Sequence, residues 1–140
     1  MTMLEPRLIG IPVPRMSPEA TSYWEGTRLG ELRFQRCDVC ASANFGPGLV
    51  CRACRSRNLT WVSGAGFGAV YSWTVVWRPQ TPAFDVPYAP AIIRLDEGYD
   101  VLTALVGLDH TEITEGLRVS VEFHSISAEI TLPFFRPVSV

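Results

Sequence analysis

A chain of 140 residues can bury one substantial hydrophobic core, or a smaller core joined to a metal-stapled module. Hydrophobic residues make up 47% of it, which excludes a disordered chain, and no apolar run reaches the length of a membrane-spanning helix. The formal net charge of −2 disfavours a nucleic-acid footprint, and because all 12 basic residues are arginine, no Schiff-base or P-loop lysine is available.

Residues 1–16 hold three prolines and no apolar core of a signal peptide, so they read as an irregular arm lying on the surface or on a partner, in a protein expected to be cytoplasmic. Ser17-Pro18-Glu19 is a helix start, with serine as N-cap, proline in the first turn and an acid near the positive end. The helix is expected to run through Tyr23 and Trp24 to about Arg28, with Gly30 as its stop. Glu31 to Arg36 then alternates, Leu32 and Phe34 sharing one face, and leads into the first cysteine pair.

Cys37, Cys40, Cys51 and Cys54 are the only cysteines. Two C-x-x-C pairs ten residues apart can present four thiolates to one tetrahedral ion, and one structural zinc fits because it accepts four sulfurs without redox change. Two disulfides would need strained pairing within each C-x-x-C, or an oxidising compartment for pairing across them, and rubredoxin-type iron uses similar knuckles. Gly46 and Gly48 flank Pro47 and let the chain turn back between the pairs. Arg36, Arg52, Arg55 and Arg57 crowd the site, either balancing a tetrathiolate that carries a net charge of about −2 or simply forming a solvated basic face.

From Trp61 onward the texture is β. Gly64 to Gly68 precedes a strand-like stretch instead of opening a helix, so it reads as a kink into a strand and not as a phosphate loop. The strand is expected over Gly68 to Arg78, with Trp73 and Trp77 on one face. Pro79 to Pro90 must be a loop, followed by strands at Ala91 to Leu95, Val101 to Leu108 and Leu117 to Phe123, and a last strand at Glu129 to Arg136 placed at an edge by Pro133. Five strands in about 75 residues, without a helix long enough for a βαβ unit, suggest a small OB-like barrel. The expected fold is therefore mainly β: arm and helix over 1–34, a rubredoxin-like zinc ribbon over 35–60, and a five-stranded OB-fold barrel over 61–140.

No catalytic constellation accompanies this framework. His110 reads as a turn residue and His124 as a strand end, and no G-x-S-x-G or H-E-x-x-H motif occurs. The candidate partner or ligand surface is aromatic: Tyr23 and Trp24 on the helix, and Phe84 and Tyr88 in the proline-rich loop, with Arg78 beside it as a phosphate contact. Ordinary packing is the competing role for Tyr23 and Trp24, as closure of the barrel mouth.

Taken together, Y-W-E-G-T-R-L-G-E-L-R-F-Q-R-C at 23–37, the cysteine quartet through V-C-R-A-C at 50–54, G-A-V-Y-S-W-T-V-V at 68–76, P-Y-A-P-A-I-I-R-L-D-E-G at 87–98 and L-P-F-F-R-P at 132–137 resemble the family of zinc-ribbon plus OB-fold proteins that associate with acyl-CoA enzymes. One departure is Ala41, where relatives usually carry glycine after the second cysteine. The resemblance implies a non-catalytic accessory subunit in a hetero-oligomer with a thiolase-like or hydratase-like chain. That complex would be an aldolase, thiolase or acyltransferase, including those of steroid or lipid side-chain degradation, and would handle acyl-CoA. The residues agree: all cysteines are committed to metal and no lysine exists, so catalytic groups are expected to come mostly from a partner. Two other classes compete, a single-stranded nucleic-acid-binding module, supported by Tyr71, Trp73, Trp77 and the ribbon arginines but opposed by the acidic charge and the lack of lysine, and a stand-alone acyl-CoA carrier or sensor.

Overall fold

A computed structural model describes residues 2–139. The helix begins as a 3-10 turn, Pro18–Ala20, and continues as α1, Thr21–Arg28. Ser17 stands in the N-cap position with extended backbone, but its side chain makes no capping bond. The tight first turn instead brings its carbonyl within 3.0 Å of the Ala20 N–H, so backbone does the capping. Gly30 ends the helix at φ +78°, as its position predicts.

Strands β1 (Leu32–Cys37), β2 (Ala43–Asn44) and β3 (Leu59–Gly64) form a three-stranded antiparallel sheet in the order β2-β1-β3. The alternation in β1 turns Leu32 and Phe34, each 1% exposed, into the core. Strands β4 (Phe67–Trp73), β5 (Ala89–Leu95), β6 (Asp100–Leu105), β7 (Arg118–Ser125) and β8 (Thr131–Pro137) close into a barrel in the order β4-β5-β6-β8-β7. This is the expected five-stranded OB-fold. A 3-10 turn at His110–Glu112 joins β6 to β7, held by Asp109 in a capping box.

The glycine-rich run is the corner where the two sheets meet. Gly66 takes φ +79°, and Gly68 lies where β4 pairs with both β5 and β7. A Cβ on Gly68 would approach the Arg94 carbonyl oxygen to 2.5 Å, so the position admits no side chain. A phosphate-loop role is thereby excluded in favour of the kink.

Strand ends shift, β5 starting at Ala89 and not at Ala91 and β6 stopping at Leu105 and not at Leu108, and two strand expectations need fuller correction. β4 stops at Trp73 and not at Arg78. Beyond it the pairing segment contains Pro87 and Pro90, which offer carbonyls but no N–H, so the ladder shrinks to a bond from Thr74 to Pro90 (3.0 Å) and an isolated bridge in which Val76 N–H reaches the Tyr88 carbonyl (2.8 Å) and Tyr88 N–H the Val76 carbonyl (3.3 Å). Trp73 and Trp77 therefore share no strand face, and Trp77 packs edge-on against His110 with ring centroids 5.0 Å apart. Nor is β8 an edge strand. It pairs with β7 along its whole length and touches β6 in parallel through Leu105 and Phe135 alone. Pro133 is tolerated because the β6 side meets it with a side chain: the Thr103 hydroxyl donates to its carbonyl at 3.0 Å.

Sheet and barrel share one core. Leu32 and Phe34 from β1 and Tyr23 from α1 pack with Val70, Ile93, Val101, Leu105, Val119 and Phe135 of the barrel. The arm is also anchored, since Leu4 is 2% exposed and exchanges backbone bonds of 2.8 Å with Leu108 and Gly107. No helix among the described residues is long and apolar enough to cross a membrane.

Candidate metal centre and apolar face

The end of β1 delivers Cys37, and the turn after it delivers Cys40; a second turn beyond β2 delivers Cys51 and Cys54. The two turns repeat one design. In the first, Ala41 N–H reaches the Cys37 carbonyl (3.0 Å) and Cys37 N–H the Ser42 carbonyl (3.0 Å); in the second, Arg55 N–H reaches the Cys51 carbonyl (2.8 Å) and Cys51 N–H the Ser56 carbonyl (2.8 Å). Each turn needs a left-handed residue after its second cysteine, met by Ala41 at φ +64° and Arg55 at φ +65°. The position where relatives usually carry glycine is thus one that glycine would adopt without strain.

All four sulfurs lie within 4.8 Å of one another, with 3.5 Å between Cys37 and Cys54 and 3.6 Å between Cys40 and Cys51. Four sulfurs about 2.3 Å from one zinc stand about 3.8 Å apart. The cluster therefore has the dimensions of one tetrahedral ion, and its close pairs run between the turns. Backbone N–H groups of Val39 and Cys40 point at the Cys37 sulfur (3.4 and 3.5 Å), and those of Ala53 and the Asn44 amide at Cys51 (3.4 and 3.5 Å). The thiol pKa of Cys37 is lowered, chiefly by the Cys40 N–H. That of Cys51 is lowered to about 6, first by the Cys54 N–H and then by Asn44. At Cys37 and Cys51 the donors suit thiolate ligation, the protonation state a metal requires. Of the neighbouring arginines, Arg36 bonds the Ala41 carbonyl at 2.7 Å and lies 5.0 Å over the Phe34 ring. Arg52, Arg55 and Arg57 have no carboxylate partner among the described residues.

The aromatic candidates separate. Tyr23 is only 8% exposed, wedged edge-on between Trp24 (4.9 Å) and Phe45 (5.5 Å), so its ring is core packing and not open surface; burial pushes its hydroxyl pKa upward. Trp24 is half-buried. Phe84 and Tyr88 stack with each other at 5.5 Å, and the Tyr88 hydroxyl donates to Gln80 at 2.7 Å. Arg78 is exposed and lines neither depression described next.

Tyr23 and Trp24 border one depression of about 380 Å³, while Phe84 and Tyr88 border another of about 330 Å³. The two share a floor of Leu102, Thr103, Ala104, Leu132 and Phe134 on β6 and β8. Leu102 points outward from the middle of β6 and is 70% exposed, next to Ile92 across the β5 ladder. Elsewhere the barrel's outside carries paired charges: Arg94 with Asp100 (3.0 Å), Arg118 with Asp96 (2.8 Å) and Arg136 with Glu122 (3.0 Å). Sequence reasoning passed over Leu102 because a leucine in a barrel strand reads as core. Its register opposite Ile92 was the signal, and register is not visible before the strands are paired.

The described residues show no nucleophile–base pair. His124 lies 3.4 Å from Glu122 against the Phe134 ring, and His110 is occupied by Trp77.

Comparison with known proteins matches this geometry. Residues 24–60 fit the family described as "ChsH2, rubredoxin-like zinc ribbon domain", and residues 61–124 fit "ChsH2, C-terminal OB-fold domain". A solved structure, "Ltp2-ChsH2(DUF35) aldolase", superposes with a TM-score of 0.81 at 35% identity, covering 89% of this chain and 98% of that one. The chain belongs to the ChsH2 (DUF35) family of zinc-ribbon plus OB-fold proteins. As in that family, its four cysteines form a ribbon site for one metal ion. Among curated relatives, the "Probable enoyl-CoA hydratase alpha subunit" of Thermomonospora curvata is 36% identical over 126 residues, 90% of this chain. The "3-oxo-4,17-pregnadiene-20-carboxyl-CoA hydratase alpha subunit" of Mycobacterium tuberculosis is 30% identical over 106 residues, 76% of this chain. This chain spans 40% and 34% of the lengths of those two relatives.

Proposed function

We propose that this chain is a non-catalytic accessory subunit of an acyl-CoA enzyme complex of the aldolase or hydratase type, stabilising a thiolase-like or hydratase-like partner and helping it present acyl-CoA. The observation that carries the reading is the uncovered apolar face centred on Leu102, 70% exposed and flanked by Trp24 on one side and the Phe84–Tyr88 loop on the other. Contiguous apolar surface of this kind marks an interaction site. Two further points support it. All four thiols are gathered in the ribbon cluster and no lysine exists, so neither a thiolase-type acyl-enzyme nor an imine can form here. Two relatives are named as hydratase alpha subunits, and the similar solved structure as an "Ltp2-ChsH2(DUF35) aldolase".

The test is capture of tagged protein from its native lysate, run beside Leu102→Asp. Stoichiometric recovery of a thiolase-like or hydratase-like chain with the parent, lost in the variant while its melting temperature is unchanged, supports the reading. Recovery of no such chain, or of nucleic acid, sinks it. The nucleic-acid alternative has less support. Tyr71 and Trp73 are exposed on β4, but the Arg94 guanidinium already covers Tyr71 at 4.2 Å and is itself paired with Asp100.

A further inference from the structure

The ribbon buries two side-chain amides, Gln35 at 8% exposure and Asn44 at 7%. They stand opposite each other in the β1–β2 ladder, where β2 contributes only Ala43 and Asn44. So short an edge strand fixes little by itself, and a buried amide is costly unless it is bonded. Gln35 directs both its ends at one residue: Nε2 donates to the Gly48 carbonyl at 3.2 Å, and Oε1 accepts from the Gly48 N–H at 2.9 Å. Asn44 joins three. Its Nδ2 donates to the Ser42 carbonyl at 3.3 Å and to the Cys51 sulfur at 3.5 Å, while its Oδ1 accepts from the Arg52 N–H at 2.9 Å. The reverse orientation of the amide would set oxygen against a carbonyl and a sulfur, and N–H against N–H, so these partners fix which way it points. Ser42 closes the first cysteine turn by accepting from the Cys37 N–H, and Cys51 and Arg52 open the second. One side chain therefore ties the two turns together and also reaches a ligand atom.

From this geometry we propose that Asn44 is a positioning residue of the metal centre, which retains the metal by holding the Cys51 sulfur in place and its turn against the first. Among the described residues, the other N–H groups aimed at cysteine sulfurs belong to the backbone of the turns, at Val39, Cys40 and Ala53. Those come with the C-x-x-C turn itself. The Asn44 donor does not, because it reaches Cys51 from a separate strand seven residues away. An N–H bond to an ionised acceptor is roughly twice as strong as one to a neutral acceptor. Asn44 therefore favours the thiolate that ligates over the thiol that lets go. Its link to Arg52 N–H acts in the same direction, since it keeps the backbone that carries Cys51 from swinging away. Outer partners that orient metal ligands typically account for about 10–100-fold in metal affinity. The inference concerns this chain's own metal site and is independent of any partner.

The experiment compares Asn44→Leu with Gln35→Leu in the full chain, the same loss of an amide on the two sides of one residue pair. Zinc affinity is read by competition with a chromophoric chelator, and the sulfurs are read through the charge-transfer band of the cobalt(II)-substituted protein. Asn44→Leu should bind zinc about 10–100-fold more weakly than the parent. Its sulfur-to-cobalt band should move to lower energy, because a thiolate that loses a donor gives up its electrons more readily. Gln35→Leu frees the loop at Gly48 but touches no sulfur, so its band should stay where the parent's is. A third readout needs no variant: in the parent loaded with an NMR-active isotope of cadmium, the Asn44 side-chain amide protons should show scalar coupling to the metal through the Cys51 sulfur. That coupling decides the matter if Asn44→Leu does not fold. Its absence, an unchanged zinc affinity in folded Asn44→Leu, or an equal band shift in both variants overturns the proposal, the last by showing that Asn44 serves the ribbon fold and not the sulfur.

Discussion

The ribbon and the barrel solve the same entropy problem by different means. The barrel closes five strands around Val70, Ile93, Leu105, Val119 and Phe135, each no more than 1% exposed, and is held by burial. The metal end of the ribbon has almost nothing to bury: Val39, Leu49 and Val50 are 65%, 76% and 44% exposed around two buried cysteines. Its order depends on four sulfurs meeting at one ion. The ribbon's root, Leu32 and Phe34, belongs instead to the barrel core. A single strand, β1, thus runs from a region stabilised by apolar burial to one stabilised by coordination. The lesson is that the boundary between the two regimes lies inside an element and not in a linker.

That contrast can be broken most forcefully at the metal. Chelation removes a metal-binding energy of the order of 10–16 kcal/mol in zinc-finger peptides, and Cys51→Ser removes one of the four ligands. Hydrogen exchange should then show residues 38–58 losing protection while β4 to β8 keep theirs; simultaneous loss in the barrel would mean that the two regions are one cooperative unit. The reverse experiment is Gly68→Val. With the Arg94 carbonyl 2.5 Å from the new Cβ, the barrel should lose about 3 kcal/mol in urea unfolding while folded protein still carries one zinc by metal analysis. A smaller effect separates the regions by pH. The pKa of Asp109 is lowered to about 2, chiefly by the Thr111 hydroxyl, then by the Thr111 and Thr2 N–H groups. A depressed folded pKa contributes stability that is present above the unfolded value of about 3.9 and is lost as pH falls toward 2. Asp109→Asn should therefore flatten the acid limb of the melting temperature between about pH 4 and pH 2; an unchanged limb would show that the capping box contributes nothing there. The smallest change should be a gain. Ala41→Gly relieves a left-handed alanine and should raise ribbon stability by about 1 kcal/mol, read as slower metal transfer to a chelator.

Most of the framework was legible because its signals are local. Cysteine spacing gave the metal site, Gly30 the helix stop, and the prolines from Pro79 onward the loop, although β5 takes its last two residues, Ala89 and Pro90. What escaped reading depends on pairing between distant segments. Pro133 marks an edge strand when read alone, yet Thr103, thirty residues away, satisfies its carbonyl and lets the barrel close. Trp73 and Trp77 have strand spacing, but their partner segment carries Pro87 and Pro90, which cannot donate, so the ladder shrinks to one bridge between Val76 and Tyr88. Tyr23 looked like half of an exposed aromatic pair, and only Phe45, brought alongside by the ribbon, turns it inward. The candidate surface residues were legible as chemical types, while their arrangement about Leu102 required the β5–β6 register.

The narrow contact between β6 and β8 has a mechanical consequence. One parallel pair, Leu105 with Phe135, supported by the Val106 N–H to the Phe135 carbonyl at 2.9 Å, completes a ring whose other joints are antiparallel ladders. Pulled from its C-terminal end, the molecule should part along this line first, with β8 peeling from β6 while it still travels with β7. Whatever lies across β6 and β8 on the outside therefore acts as a suture over the weakest joint in the ring.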